Sequence, residues 1–209
     1  MKTIIYFCIV LFTLSTVAQS PYETGMKKAF DLWGENKMVE ASNLFERIAT
    51  AEKENWIPVY FVSQVNVIKS FGETDPAVLK AQMDKALDFL NQVKTLTGDD
   101  NPYVKILEGQ YYTAWIASDG MKYGMKYAGK VSTLYAEALS LAPENPIVVF
   151  GKAEWDAGTA KYFGQSMEPF CKDVQKAIDL SDNFEPEGAF YPSFQKERAL
   201  EFIEENCKE

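Results

Sequence analysis

Apolar residues recur three and four positions apart from Tyr22 onward, with polar residues between them. This spacing places an apolar stripe on each helix and predicts an all-α fold, because a half-buried strand would alternate with a period of two. Residues 59–68 are ambiguous, since they would also suit a buried strand. We interpret them as a helix because Tyr60, Gln64 and Val67 lie at helical spacing.

One helical motif recurs four times along the chain. In each copy an apolar residue is followed by another four positions later, then by a small or aliphatic residue three positions on, with a hydrophobe beside it. The copies are Ala41, Phe45, Ile48 and Ala49; Leu79, Met83, Ala86 and Leu87; Val131, Tyr135, Ala138 and Leu139; and Phe170, Val174, Ala177 and Ile178. Each copy marks the second helix of a helical hairpin. The predicted hairpins cover about residues 22–51, 56–93, 102–142 and 146–180.

Turn-forming residues separate the predicted helices. Glycine and asparagine in residues 34–37 allow the left-handed backbone that ends a helix. A glycine-marked segment, residues 118–124, predicts a long connection inside the third hairpin. After a proline-broken acidic loop over residues 181–192, a one-sided helix over residues 193–207 is typical of the cap of a helical array.

The recurring motif resembles the tetratricopeptide repeat, a helical hairpin of 34 residues. Its best match is Tyr135-x-x-Ala138-Leu139-x-x-x-Pro143, in which small residues let two helices approach closely. Equivalent positions 48, 86, 138 and 177 are 38, 52 and 39 residues apart, so the spacing is irregular. The resemblance implies a right-handed superhelix of about four irregular hairpins plus a C-terminal capping helix, forming one domain over residues 19–209.

The layout also resembles exported tetratricopeptide-like proteins of Bacteroidota, for which no reaction is known. The residues that carry this second resemblance are Met121–Gly124 with Met125–Tyr127, the turn Tyr162–Gly164, and the tail Tyr191–Cys207. It implies a location in the bacterial envelope.

The first residues have the pattern of a secretory signal peptide. A short cationic start is followed by an apolar run over residues 4–14 and by small residues at positions 15–18. We expect a signal peptide over residues 1–18, with cleavage near 18–20, and a periplasmic or secreted product. A retained amino-terminal anchor is the alternative. No later segment is continuously apolar enough to span a bilayer, which takes about 20 apolar residues.

The charge balance is acidic, with 21 basic and 30 acidic residues. Loss of the signal would remove Lys2 and no acidic residue, which leaves 20 basic and 30 acidic side chains and a net charge of −10. This charge would repel nucleic acid, so we expect no nucleic-acid partner.

The cysteines favour one disulfide. Cys8 lies inside the predicted signal, which leaves Cys171 and Cys207 as an even pair in an exported chain. They lie near the beginning of one predicted helix and the end of its antiparallel neighbour, and such ends come close together. Two unpaired buried thiols are the alternative, because sequence does not show connectivity.

Histidine is absent, which removes the commonest general base and the commonest transition-metal ligand. Serine–histidine and cysteine–histidine catalysis and histidine-containing zinc sites are thereby excluded. Acidic clusters at residues 99–101 and 179–187 lack the spacing of a calcium loop, and we interpret them as helix caps and turns. We expect no enzyme, no metal site and no cofactor; a hydrolase with a carboxylate pair is a third alternative.

For binding, the resemblance implies a concave groove made by the first helix of each hairpin. Where some family members carry Lys and Asn to hold a peptide carboxylate, this chain has Met26 and Phe30, Tyr60 and Gln64, and Ile106 and Gln110. An apolar groove for a hydrophobic or extended peptide is therefore expected. Aromatic residues of the third and fourth hairpins are further candidates. They are Tyr103, Tyr112, Trp115, Tyr123, Tyr127, Tyr162 and Phe163.

The leading hypothesis from sequence is an exported, non-enzymatic scaffold that binds an envelope protein or peptide through this groove and the aromatic loops. The alternative is a small-ligand or glycan-binding accessory protein of the bacterial envelope that uses the same aromatic residues. Packing also accounts for many of these residues, because tetratricopeptide cores are themselves aromatic.

Overall fold

The structure, a computed structural model, describes residues 20–207. This part of the chain is all-helical, which confirms the predicted fold class. The helices are α1 (Pro21–Gly34), α2 (Met38–Ala51), α3 (Trp56–Ser70), α4 (Pro76–Thr97), α5 (Pro102–Ser118), α6 (Gly120–Leu141), α7 (Pro146–Tyr162), α8 (Cys171–Ser181) and α9 (Lys196–Asn206). A short 3-10 helix, Glu168–Phe170, leads into α8. The predicted signal peptide over residues 1–18, with Cys8, lies outside the described residues.

Proline and a polar cap mark the start of four helices. Helices α1, α4, α5 and α7 begin with proline, whose missing N–H costs little in the first turn and whose φ is already helical. The residue before each proline is Ser, Asp or Asn, and its side chain accepts a hydrogen bond from the first turn. Asn145, for example, accepts from the backbone N–H of Ile147 at 3.0 Å.

The connection between α5 and α6 is much shorter than the sequence predicts. Residues 120–124, expected to form a loop, are the first turns of α6, and Asp119 alone separates the two helices. The Asp119 carboxylate caps α6 by accepting from the N–H of Lys122 at 3.0 Å. Glycine costs about 1 kcal/mol in a helix interior, and this cap together with side-chain packing offsets that cost. The ambiguous residues 59–68 lie within α3 and are helical.

Helices pack mainly against their neighbours in the chain, as expected for consecutive hairpins. Helix α5 also contacts α3 and α7, so the first helices of the last three hairpins form one inner layer. The largest apolar core joins α1 to α5, and smaller cores join α5 to α7 and α7 to α9. Apolar packing is therefore continuous from α1 to α9 and supports the inner layer.

The last helix is fastened covalently. Cys171 at the start of α8 and Cys207 just after α9 form a disulfide, with their Cα atoms 5.8 Å apart. This confirms the predicted pair and removes the alternative of two unpaired thiols. The disulfide holds α9, and the segment that leads into it, against the rest of the fourth hairpin.

Candidate ligand-binding groove

The inner layer borders a large open groove of about 1230 Å³. Its walls come from α3, α5, α6 and α7, and residues 193–195 with α9 complete one end. Sites for drug-sized molecules usually measure about 300–1,000 Å³, so this groove is large enough for a somewhat larger molecule.

The floor of the groove is a buried tyrosine pressed between two glycines. Tyr135 reaches from α6 toward α5 and α7, where a Cβ on Gly109 would lie 3.0 Å from its ring and a Cβ on Gly151 3.2 Å from it. A side chain at either position would require the ring to shift by a few tenths of an ångström. Burial raises the pKa of the Tyr135 hydroxyl well above its ordinary value, so the floor is uncharged.

The rim of the groove carries apolar side chains in water. Met121 and Met125, one turn apart on α6, are 90% and 100% exposed, and Tyr162 and Phe163 at the end of α7 are 71% and 69% exposed. Of the ten large apolar side chains that are exposed among residues 20–207, five line this groove, the fifth being Phe71. Concentrated apolar exposure of this kind marks a contact site.

Two glycines widen the groove between these rim residues. Gly124 on α6 and Gly158 on α7 both line it, and a Cβ built on either would meet no atom within 4 Å. Gly129, also on α6, has the same open surroundings but does not line the groove. The space at Gly124 and Gly158 is therefore part of the cavity.

One ion pair lies in the groove. Arg198 of α9 contacts Glu154 of α7, with 2.8 Å between Nη2 and Oε1. Burial raises the pKa of the Glu154 carboxyl, and the Arg198 guanidinium only partly reverses this. Among the described lining residues, these two side chains are the charged ones, and the remainder of the wall is apolar or neutral.

Five residues predicted from sequence to bind a partner lie together in this groove. Gln64, Ile106 and Gln110 come from α3 and α5, and Tyr162 and Phe163 form part of the rim. They come from three hairpins, and the inner layer of first helices is what brings them together.

Four other predicted residues lie in the core. Met26, Tyr60 and Tyr103 are buried, and Phe30 packs edge-on against Phe61 with ring centroids 4.7 Å apart. None of the four lines the groove.

A returning loop covers two of these residues, Phe30 and Tyr103. Phe190 stacks on Phe30 at 6.0 Å, and Tyr191 packs against Trp56 at 5.2 Å and Tyr103 at 6.1 Å. Phe190 thus occupies the place of a ligand at Phe30, and Tyr191 does so at Tyr103, two of the predicted binding positions.

The remaining four predicted residues form a separate cluster, here called the α5–α6 stack. It consists of Tyr112, Trp115, Tyr123 and Tyr127, with ring centroids 4.8 to 5.8 Å apart along the series. Lysines lie over the rings: Lys122 over Tyr123 at 4.8 Å, Lys126 over Tyr127 at 4.7 Å and Lys130 over Tyr112 at 4.2 Å. The stack lies outside the groove, and its members are one another's partners.

Sequence reasoning missed the two rim methionines and the ion pair. Met121 and Met125 are four positions apart between glycines, a spacing that would have shown them on one face if the segment had been assigned to a helix. Glu154 and Arg198 lie 44 positions apart, and no local pattern joins them.

Residues 20–207 contain neither a helix that could cross a membrane nor a cluster of metal-ligating side chains. No described helix has the length and apolar character needed to cross a bilayer. Nor does this range contain a cluster of three or more His, Cys, Asp or Glu side chains placed to hold a metal ion.

No family model matches the sequence, and no curated protein matches it. Among solved structures, the fold is similar to that of the HusA haemophore from Porphyromonas gingivalis, with a TM-score of 0.75. The match covers 88% of this chain and 92% of that chain. Since the two sequences are 20% identical, the likeness shows a common fold.

Proposed function

We propose that this protein is an exported, non-enzymatic binding protein that holds a flat, largely apolar small molecule of the tetrapyrrole class, such as haem, in its groove. The observation that carries the proposal is the open rim, where Met121, Met125, Tyr162 and Phe163 face water around a cavity of about 1230 Å³. Burying such side chains against an apolar ring gains about 25 cal/mol per Å².

The fold comparison supports the same ligand class. A haemophore is a haem-binding protein, and its fold matches this one over most of both chains. The disulfide between Cys171 and Cys207 and the predicted signal peptide support export, because disulfides persist in oxidising compartments. The tetratricopeptide resemblance remains a prediction, and consecutive packed hairpins are compatible with it.

The residues of the groove suit a tetrapyrrole without histidine. The ring would be held by apolar contact. Met121, Met125 and Tyr162 line the groove and carry thioether and phenol groups, which are of types that bind haem iron in proteins. Since thioethers are weak ligands, we expect the ring and not the metal to supply most of the affinity.

A peptide partner, the leading hypothesis from sequence, is less well supported. Phe190 packs on Phe30 of α1 and Tyr191 packs on Trp56 of α3, so the chain's own residues occupy part of the inner surface that an extended peptide would follow. The small-ligand alternative needs only the pocket between α3, α5, α6 and α7.

The proposal is tested by titrating haemin into the purified mature chain and following the Soret band and tryptophan fluorescence. In the Gly124→Leu variant the new side chain enters the groove, and we expect haemin affinity to fall about tenfold or more, equivalent to about 1.4 kcal/mol. Gly129→Leu makes the same change on the same helix outside the groove and should bind like the wild type.

Both substitutions replace glycine within a helix and should preserve or raise stability by up to about 1 kcal/mol. A loss of binding by Gly124→Leu alone is thus a local effect. A wild-type chain that leaves the haemin spectrum unchanged, or an equal loss in both variants, would refute the proposal.

A further inference from the structure

The charged lining of the groove is restricted to one arginine and one glutamate. Arg198 and Glu154 supply these charges among the described lining residues. Elsewhere on the chain acidic residues outnumber basic ones by 9. An anionic ligand that approaches this protein is therefore repelled by its average field, and Arg198 is the cationic group that it can contact in the described part of the groove.

The geometry leaves most of the guanidinium available. Arg198 is 61% exposed, while its partner Glu154 is only 26% exposed, so the arginine is the more accessible member of the pair. The contact to Glu154 uses Nη2, and no other carboxylate in the described part of the chain forms an ion pair with Arg198. A guanidinium carries five N–H donors in a planar fork that suits a second carboxylate.

The distance between the ion pair and the apolar rim is also close to the length of a tetrapyrrole. Glu154 and Tyr162 are eight residues apart on α7, which corresponds to about 12 Å along the helix axis. That span is comparable with the length of a tetrapyrrole from its carboxylate edge to its opposite edge. A ligand lying along α7 would thus have its ring at the rim and its acidic edge at α9.

From these observations we infer that Arg198 is the residue of the groove that recognises a carboxylate on the ligand, and that Glu154 occupies the guanidinium until that carboxylate arrives. The inference rests on the proposed function and adds the chemical class of the ligand, a carboxylated flat ring. Glu154 is then a positioning residue: it keeps Arg198 directed into the groove and lowers affinity for an anion by competing with it.

The rival explanation is that the Arg198–Glu154 ion pair only holds α9 against α7 and has no part in ligand recognition. Helix α9 has other attachments, since Cys207 is bonded to Cys171, Ala199 is buried, and Phe194 packs on Phe150 with ring centroids 5.8 Å apart. The rival predicts that loss of the pair alters the binding of every ligand equally. Recognition predicts a loss restricted to acidic ligands.

The test compares protoporphyrin IX, which has two carboxylates, with its neutral dimethyl ester, both added from dimethyl sulfoxide and followed by tryptophan quenching. The wild type should prefer the diacid. Arg198→Gln should weaken the diacid about tenfold or more and leave the ester unchanged. Glu154→Gln should tighten the diacid several-fold, and this gain should disappear in the Glu154→Gln/Arg198→Gln double variant, which leaves no unpaired charge.

Arg47→Gln is the matched control, because Arg47 is exposed on α2 outside the groove and its loss changes the net charge equally. Equal loss of both ligands in Arg198→Gln, or equal affinity of the wild type for diacid and ester, would overturn the inference and leave the proposed function standing. Failure of the wild type to bind either ligand would overturn the proposed function itself.

Discussion

Helix α6 presents two aromatic or apolar surfaces, and they differ in whether their side chains have partners. Met121 and Met125 project into water at the groove rim, whereas Tyr123 and Tyr127, between and beyond them in sequence, are half-buried in the α5–α6 stack. The helix, the composition and the solvent are the same for both. Exposure without a packing partner, and not aromatic character, therefore distinguishes the proposed binding surface from the α5–α6 stack.

The charges of the two surfaces differ in the same way. Next to the stack, Glu108 is buried and accepts from Lys94 at 2.8 Å and pairs with Lys130 at 2.9 Å, so its charge is compensated from two sides. In the groove, Glu154 has one cation, and that cation is largely exposed. The charged groups beside the stack are thus paired with one another, while Arg198 in the groove retains N–H donors that could bind a ligand.

The largest expected effect is that of removing the disulfide, which should loosen the α9 side of the groove and leave the α5–α6 stack intact. Replacing Cys171 and Cys207 by serine should lower the free energy of unfolding by about 2–4 kcal/mol, because the crosslink restricts the unfolded chain. Locally, amide hydrogen exchange should quicken in α9, which carries Arg198, and stay slow in α5 and α6. Exchange that quickens equally in all three helices would remove the distinction between the two regions.

Glu108→Gln should act on the stack and spare the groove. We expect a loss of about 1–3 kcal/mol in stability at pH 7, since two ammonium groups lose a charged partner. Haemin affinity should not change. Chemical denaturation and a haemin titration on the same variant give the two values, and a loss of haemin affinity without a loss of stability would reverse the assignment.

The effect of Glu108→Gln should also depend on pH. Burial alone raises the pKa of the Glu108 carboxyl, but hydrogen bonds and charge attraction from Lys94 and Lys130 outweigh it and hold the pKa below the ordinary 4.5. The stability difference between wild type and variant should therefore be full above pH 4.5, shrink as the pH falls below it, and vanish under the lowered pKa.

The smallest expected effects come from replacing one tyrosine in the stack and one at the groove rim by alanine. Tyr127→Ala in the stack should cost about 1–2 kcal/mol of stability and leave haemin affinity unchanged, because aromatic contacts are lost within the protein. Tyr162→Ala at the rim should leave stability within about 0.5 kcal/mol and lower haemin affinity several-fold. If both variants lose the same property, the two surfaces are not distinct.

Much of the fold followed from local patterns that have a direct physical cause. The all-helical class followed from the three-and-four spacing of apolar residues and from turn residues at the helix ends. The Cys171–Cys207 disulfide followed from an even number of cysteines, placed at neighbouring ends of two antiparallel helices. The expected loop at residues 118–124 was wrong because glycines were taken as helix breakers, while the cap at Asp119 and the packing of Tyr123 and Tyr127 keep the segment helical.

The groove was harder to predict because its residues come together only in three dimensions. Gln64, Ile106 and Gln110 were found from the expected inner face of first helices, which the structure retains in α3 and α5. The same argument placed Met26 and Phe30 in a groove, but Met26 is buried in the core and Phe190 of the returning loop stacks on Phe30. No period in the sequence shows that a distant loop will fold back over α1.

The contact between Tyr135 and its two glycines constrains how this chain can vary in evolution. A Cβ added at Gly109 or Gly151 alone would crowd the ring and force it to shift, and a smaller residue in place of Tyr135 alone would deepen the groove and remove these packing contacts. We therefore expect these three positions to be epistatic, so that a change at one is better tolerated with a compensating change at another. Relatives with a deeper or shallower groove should differ from this chain at the ring and at a glycine together.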